Sequence, residues 1–252
     1  MVAGLGTLFP LLLSIDLYID DVERAMDGSL GWVRVGRPLA DALVEWLNFG
    51  RPATAVAPLH TLVAIVLLSV VGVACARAYG IRSPFWTAIA SLPLMAQPYA
   101  LQAMSYGFDA LFMATALAAA VVSALLVNVQ GSWRIVVTAL ALQLLSFNLY
   151  QPAANGFLVV SGCLCIGAFL KLLSQPWQRR SLRTRLLLSS FVYCCGYGLY
   201  RLVYALLFEH RLNRYASGAS EFKSLEPQLP LAWIVSAFEP IEQVLRDFGE
   251  WP

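Results

Sequence analysis

Charge is what this chain has least of. Only 13% of its 252 residues are Asp, Glu, Lys or Arg, against 59% apolar side chains and a mean hydropathy of +0.69. A soluble domain carries about 25% charged residues. So little charge cannot solvate a globule of this size, which excludes a water-soluble enzyme, a disordered chain and a secreted disulfide scaffold. The net charge of +2 is small, and no Lys/Arg-rich patch with interleaved aromatics is present, so nucleic acid is not a partner. Also missing are a Gly-rich phosphate loop, a Ser/His/Asp set and an HExxH run. Nothing therefore supports a soluble-type nucleotide site or ATP hydrolysis. No repeat of about 20–50 residues and no Ser/Gly-rich linker divides the chain. Cys75, Cys163, Cys165, Cys194 and Cys195 all lie in apolar blocks without a nearby His or acid. They read as small apolar residues rather than zinc ligands.

What is abundant is apolar sequence in blocks of about 17–25 residues, the length that crosses roughly 30 Å of hydrocarbon. The blocks fall at roughly 2–19, 54–75, 84–103, 109–128, 134–150, 153–173 and 186–208. The chain therefore reads as one all-α domain over residues 1–252, a transmembrane bundle of about seven spans. Both ends read as incomplete. Only Val2 to Ile15 precede the first charge, Asp16, with no basic flank, and the apolar run Leu229–Phe238 is cut off by Glu239 and Pro240.

Lys and Arg orient the spans. Connections 76–83, 129–134 and 171–185 hold Arg77, Arg82, Arg134, Lys171, Arg179, Arg180, Arg183 and Arg185 and no acid. Connections 20–53, 104–108 and 151–152, with everything after 208, hold most of the acids. The basic set is expected to face the cytoplasm and the acidic set the exoplasm. Within the 20–53 loop, Pro38 suits a first helical position. Leu39, Ala42, Leu43, Trp46 and Leu47 then recur at helical spacing, with Asp41 and Glu45 opposite. This predicts an amphipathic helix, either lying in the membrane interface with Trp46 at headgroup depth or packing on the bundle.

The residues able to do chemistry gather on the exoplasmic side. Asp20-Asp21-Val22-Glu23-Arg24 sits where the first span ends, with Arg37 further along the loop. Tyr106-Gly107-Phe108-Asp109 and Tyr150-Gln151-Pro152 form two short turns. An acid at the hydrocarbon boundary is costly unless it is paired or lines a wet cavity. Adjacent carboxylates repel, so one of Asp20 and Asp21 is a candidate general base, and the other could hold Arg24 or a metal. The competing reading is a solvated helix exit. A divalent cation on this pair would need oxygen ligands from several further positions, which the sequence does not identify; no cofactor is otherwise called for. Arg201, inside the last span, either binds a lipid phosphate or snorkels to the interface. His60 reads as bonded to a neighbouring helix.

Leu17-Tyr-Ile-Asp-Asp-Val-Glu-Arg-Ala25, Gly31-Trp32, Gly36-Arg37-Pro38-Leu39, Leu92-Pro93, Gln97-Pro98-Tyr99, Ser105-Tyr-Gly-Phe-Asp109 and Leu149-Tyr-Gln-Pro152 occur in that order. In order and spacing they resemble the bacterial and phage glucosyltransferases that modify O-antigen and convert serotype, polytopic enzymes of the GT-C type. The likeness is good over residues 8 to about 160 and is carried beyond that by hydropathy. It implies an inner-membrane enzyme with a periplasmic active face. Such an enzyme moves a hexose, usually glucose, from a polyprenyl-phosphate carrier to a lipid-linked or lipopolysaccharide glycan, with inversion.

Carried onto this chain, the resemblance makes Asp20 and Asp21 the acidic pair that supplies the base. Arg24 and Arg37 become their basic companions, and Tyr106 with Asp109 the second-loop motif. Tyr150 and Gln151 join them as substrate-binding candidates. Gly107 stands where the family tends to have Arg, so a donor-phosphate contact is either lost or supplied by Arg201 or another residue. Relatives of this type are also longer. Two alternatives remain: a flippase or transporter of lipid-linked sugars, and an inactive remnant. The near-absence of polar groups at mid-span argues against a transporter, which places them near the midplane.

Overall fold

The computed structural model describes residues 6, 9, 19–51, 53–54, 58–129, 132–170 and 182–208, apart from the side chains of Ile19, Asp20, Glu23 and Val129. Among the described residues every regular element is a helix. The block 2–19, the connection 171–181 and everything after 208, including Leu229–Phe238, lie outside them almost entirely.

A helix α1 (Ile19–Asp27) is followed by a 3-10 turn at Trp32–Val35 and by α2 (Pro38–Leu47). Next come α3 (Leu59–Ala78), three short helices α4 (Pro84–Ser91), α5 (Pro93–Ala96) and α6 (Pro98–Ser105), and α7 (Ala110–Val129). The chain continues through α8 (Trp133–Leu149), a single turn α9 (Gln151–Ala154), α10 (Gly156–Phe169) and α11 (Leu182–Leu207). Four stretches are long and apolar enough to cross a membrane: Leu59–Ala78, Ala110–Asn128, Gln151–Phe169 and Leu182–Leu207. Pro84–Ala96 and Trp133–Leu149 are apolar but shorter.

The structure departs from the sequence reading at three places. Residues 84–103, read as one span, are three helices, each with a proline in its first turn: Pro84, Pro93 and Pro98. Proline lacks an N–H and its ring clashes with the preceding turn, so helices restart there. Gln97 closes the last break by accepting the Tyr99 N–H at 2.9 Å. The last helix starts at Leu182, which carries Arg183 and Arg185 onto it, with Arg185 buried. The third departure is the packed face of α2. It centres on Ala40 and Val44, with Leu39 and Leu43 half-buried, while Trp46 and Leu47 are exposed.

α7 is the central helix: 72% of its span is buried, against 22–44% for the other three. Its alanines explain this. Ala110, Ala114, Ala116, Ala120 and Ala124 are buried and let neighbouring backbones come close. Hydroxyls fasten the contacts, with Ser146 Oγ donating to the Ala116 carbonyl at 2.8 Å and Ser123 Oγ to that of Ala139 at 2.7 Å. Ile65 and Leu68 of α3 pack with Met95, Met104 and Ala114.

Gly72 marks the closest approach of α3 to α4. A Cβ added there would lie 2.6 Å from Ser91 Cβ and 3.2 Å from its Cα. Neither atom can move without shifting α4. Gly72→Ala is expected to destabilise by about 1–3 kcal/mol through overpacking, read as a lower thermal midpoint in detergent. Ser91→Gly in the same chain is expected to recover most of that loss.

Candidate functional site

Three connections far apart in sequence meet at one end of the helices: the 19–41 segment, the 106–109 turn and the 150–151 turn. Asp21 begins the assembly. It is fully buried, and its Oδ2 accepts the Gly107 N–H at 2.7 Å, with the Phe108 N–H at 3.5 Å from Oδ1. One helical turn later, Arg24 Nη1 lies 3.9 Å from Asp21. Asp21 thus anchors the turn that presents Asp109.

Asp109 is the hub. Its carboxylate accepts the indole N–H of Trp32 and faces Arg37 Nη1 at 3.4 Å and Arg24 Nη1 at 3.8 Å. Burial pushes its carboxyl above the usual carboxylate range, against the pull of Arg24, Arg37 and the Trp32 N–H. Trp32 ties the parts together. It is wholly buried, meets Phe112 edge-on at 6.3 Å, and carries the Arg24 guanidinium 4.4 Å above its ring. Arg37 stacks in the same way over Tyr150 at 4.4 Å. Both arginines keep hydrogen-bonding capacity: Arg24 Nη1 and Arg37 Nε are buried without a hydrogen-bond acceptor.

The loop that carries Trp32 and Arg37 is held from both sides. From α2, Asp41 accepts the N–H groups of Gly31, Trp32 and Val33 at 3.0, 2.9 and 2.7 Å, which satisfies the open start of the 3-10 turn. Asp41 is therefore a capping group rather than part of a solvated outer face. From the other side, Tyr200 donates to the Gly36 carbonyl at 2.9 Å, Tyr204 donates to the Val33 carbonyl, and Gln151 Nε2 donates to the Gly36 carbonyl and to Tyr200 at 2.8 Å. Gly36 has φ of 81°, and a Cβ there would lie 2.8 Å from the Tyr200 hydroxyl, so glycine is required on two counts. Tyr200→Phe and Tyr204→Phe are each expected to cost about 0.5–1.5 kcal/mol. Trypsin should then cut faster after Arg34; an unchanged rate would mean these hydroxyls do not hold the loop.

Of the residues singled out in the sequence, Asp21, Arg24, Arg37 and Asp109 form one cluster. Tyr150 lies against Arg37, and Gln151 braces the loop. Tyr106 is half-buried in the 106–109 turn. The Asp20 side chain lies outside the described residues. Arg201 is not brought in: it makes no hydrogen bond or ion pair with the described residues. His60 sits 3.2 Å from the Gly107 carbonyl, a turn rather than a helix. Sequence reasoning missed Trp32, Asp41, Tyr200 and Tyr204 as parts of the site. Trp32 had appeared only as part of the Gly31-Trp32 motif, and the tyrosines left a signal of their own, since Tyr193, Tyr197, Tyr200 and Tyr204 recur at helical spacing on α11. Among the described residues no group of three or more His, Cys, Asp or Glu is placed to hold a metal ion.

An ionic cluster at one end of apolar helices is uncommon enough to compare. Residues 9–249 match the family described as "Glucosyl transferase GtrII". The chain belongs to this family. A protein of Salmonella phage P22, described as an uncharacterized 55.3 kDa protein in the gtrB 5' region, is 30% identical over 152 residues. That alignment covers 60% of this chain and 31% of the phage protein, so the chain spans well under half the length of the relative it matches. No solved structure matches. Family membership makes the chain glucosyltransferase-like, and its apolar helices fit a membrane protein.

Proposed function

We propose that the chain transfers a hexose, glucose by family, from a polyprenyl-phosphate carrier to an O-antigen or lipopolysaccharide-type glycan at the periplasmic face of the inner membrane. The observation that carries the reading is the pair of guanidinium groups, Arg24 and Arg37, converging on Asp109 with buried N–H groups still unfilled. A lipid-borne phosphate arrives sideways from the bilayer, and this end of the helices is where such groups would meet it. Guanidinium and phosphate match in geometry, and the indole and phenol beneath the two arginines hold them ready.

In this reading, a carboxylate takes the proton from an acceptor hydroxyl. That oxygen attacks the anomeric carbon from the face opposite the phosphate. The carbon–oxygen bond to phosphate breaks, and polyprenyl phosphate leaves with the electron pair, its charge met by Arg24 and Arg37. One displacement inverts the centre. Asp20 is the base, because Asp21 is committed to the Gly107 backbone and Asp109 to Trp32 and two arginines. Tyr106 and Tyr150 flank the sugar. The span count of about seven and the acidic-side-out orientation belong to the same proposal. So does α2 lying at the interface, with Trp46 and Phe49 exposed by 72% and 91%.

The test uses membranes containing this chain, radiolabelled polyprenyl-phosphate glucose and lipopolysaccharide. Label is expected to reach the lipopolysaccharide, with loss of transfer in Arg37→Ala. A folded, inserted wild-type chain that moves no label would overturn the proposal.

A further inference from the structure

A cleft of about 730 Å³ opens beside the ionic cluster, between the 30–34 segment, α2 and the end of α11. Its size falls within the range of small-ligand sites. Leu30, Val33 and Phe208 give it apolar walls, and Arg34, Asp41 and Glu45 give it polar groups. Gly31 and Val33, the neighbours of Trp32, line it too. One stretch of backbone therefore sends the Trp32 indole to Asp109 and Arg24 while its flanking residues form the cleft wall. A ligand in the cleft would lie one residue's width from the ionic cluster.

We infer that this cleft binds the acceptor as a neutral glycan, placing a sugar hydroxyl toward the cluster; the assignment of the ligand as acceptor rests on the transferase reading above. The chemistry decides the ligand class. Two carboxylates against one guanidinium disfavour a phosphate or another anion. Asp41 is already occupied by three backbone N–H groups. The side chains of Arg34 and Glu45 are exposed and bond to none of the described residues, so one donor fork and one acceptor stand open across the cleft. A donor and an acceptor above apolar and aromatic walls suit a sugar, which has hydroxyls at its rim and C–H groups on its faces. The cluster on the other side of Trp32 has the opposite equipment, with two arginines carrying unfilled buried N–H groups. The two sites thus divide the reactants by charge.

The test is direct binding, independent of turnover. The full chain in nanodiscs is titrated with neutral oligosaccharides released from an O-polysaccharide, followed by saturation-transfer NMR. Saturable binding is expected, weakened tenfold or more by Glu45→Gln and by Arg34→Ala, and lost when Ala42→Trp fills the cleft. Each variant's thermal midpoint is measured alongside, and the three changes, all at exposed positions, are expected to leave it unchanged. In the transfer assay the same variants should raise the KM for acceptor at least tenfold, with the KM for donor within twofold. Absence of wild-type binding, equal binding in Ala42→Trp, or displacement of the glycan by inorganic phosphate would each overturn the inference. Binding at the cleft without any transfer would instead sink the transferase reading and leave the glycan site standing.

Discussion

Transfer by an Asp20→Asn chain is expected to fall by about 10²–10⁴-fold, the contribution of a positioned general base, while its thermal midpoint stays near that of wild type. Asp21→Asn is expected to fail differently. The buried Asp21 carboxylate accepts the Gly107 N–H at 2.7 Å and lies near Arg24. Asn keeps the volume but removes the charge, and one side of the amide turns an N–H toward groups that need an acceptor. Leaving such a buried donor unmatched costs about 1–3 kcal/mol. The 106–109 turn should loosen, Asp109 should drift, and activity should fall together with stability. The two substitutions are compared at matched expression by transfer rate and by unfolding in detergent. If Asp20→Asn transfers at the wild-type rate, the base is a different group. If Asp21→Asn leaves stability untouched, the anchoring role is wrong.

Much of the helical content was legible because lipid imposes one simple demand. Backbone polar groups must be satisfied within the segment, so long apolar blocks become helices. The blocks read at 54–75 and 109–128 are met by helices at Leu59–Ala78 and Ala110–Val129, whereas the block read at 186–208 starts earlier, at Leu182. The block at 84–103 was misread because hydropathy ignores where N–H groups are missing, and Pro93 and Pro98 were visible as the breaks. The assembly of the site was legible only in part. Assigning Asp21, Arg24, Arg37 and Asp109 to one side of the membrane was enough to group them, and the structure brings them within ion-pair distance. Which carboxylate does what was not legible. Asp20 and Asp21 are equivalent as letters, and nothing local in the sequence ties Asp21 to the backbone amide of Gly107, 86 positions further on. Asp41 was misread for a related reason. Helical periodicity placed it opposite the apolar stripe, whereas its partners lie in the preceding turn, outside any periodic pattern. Trp32 stood out only within the Gly31-Trp32 motif, with no role read from it, because a tryptophan near a membrane surface is usually an interfacial anchor.

Trp32 is where the second large effect is expected. Its side chain is wholly buried, donates to Asp109, supports the Arg24 guanidinium and meets Phe112. Trp32→Ala removes all four at once, and truncating a buried aromatic costs about 3–5 kcal/mol. The chain is expected to insert but to unfold at a much lower temperature and to show no transfer. Trp32→Phe separates packing from hydrogen bonding. The ring still fills most of the space and still offers a face to Arg24, but Asp109 loses its indole donor. That loss should cost about 1–3 kcal/mol. It should also push the Asp109 carboxyl further up, since the indole hydrogen bond is one of the three influences holding it down. An isotope-edited infrared titration of the carboxylates would report that shift, and a Trp32→Phe chain that titrates like wild type would show that Trp32 serves Asp109 only by filling space. If instead both variants keep wild-type stability, the three contacts of Trp32 do not organise the cluster, and the loop that carries Arg37 must be held by Asp41, Gln151 and the two tyrosines alone.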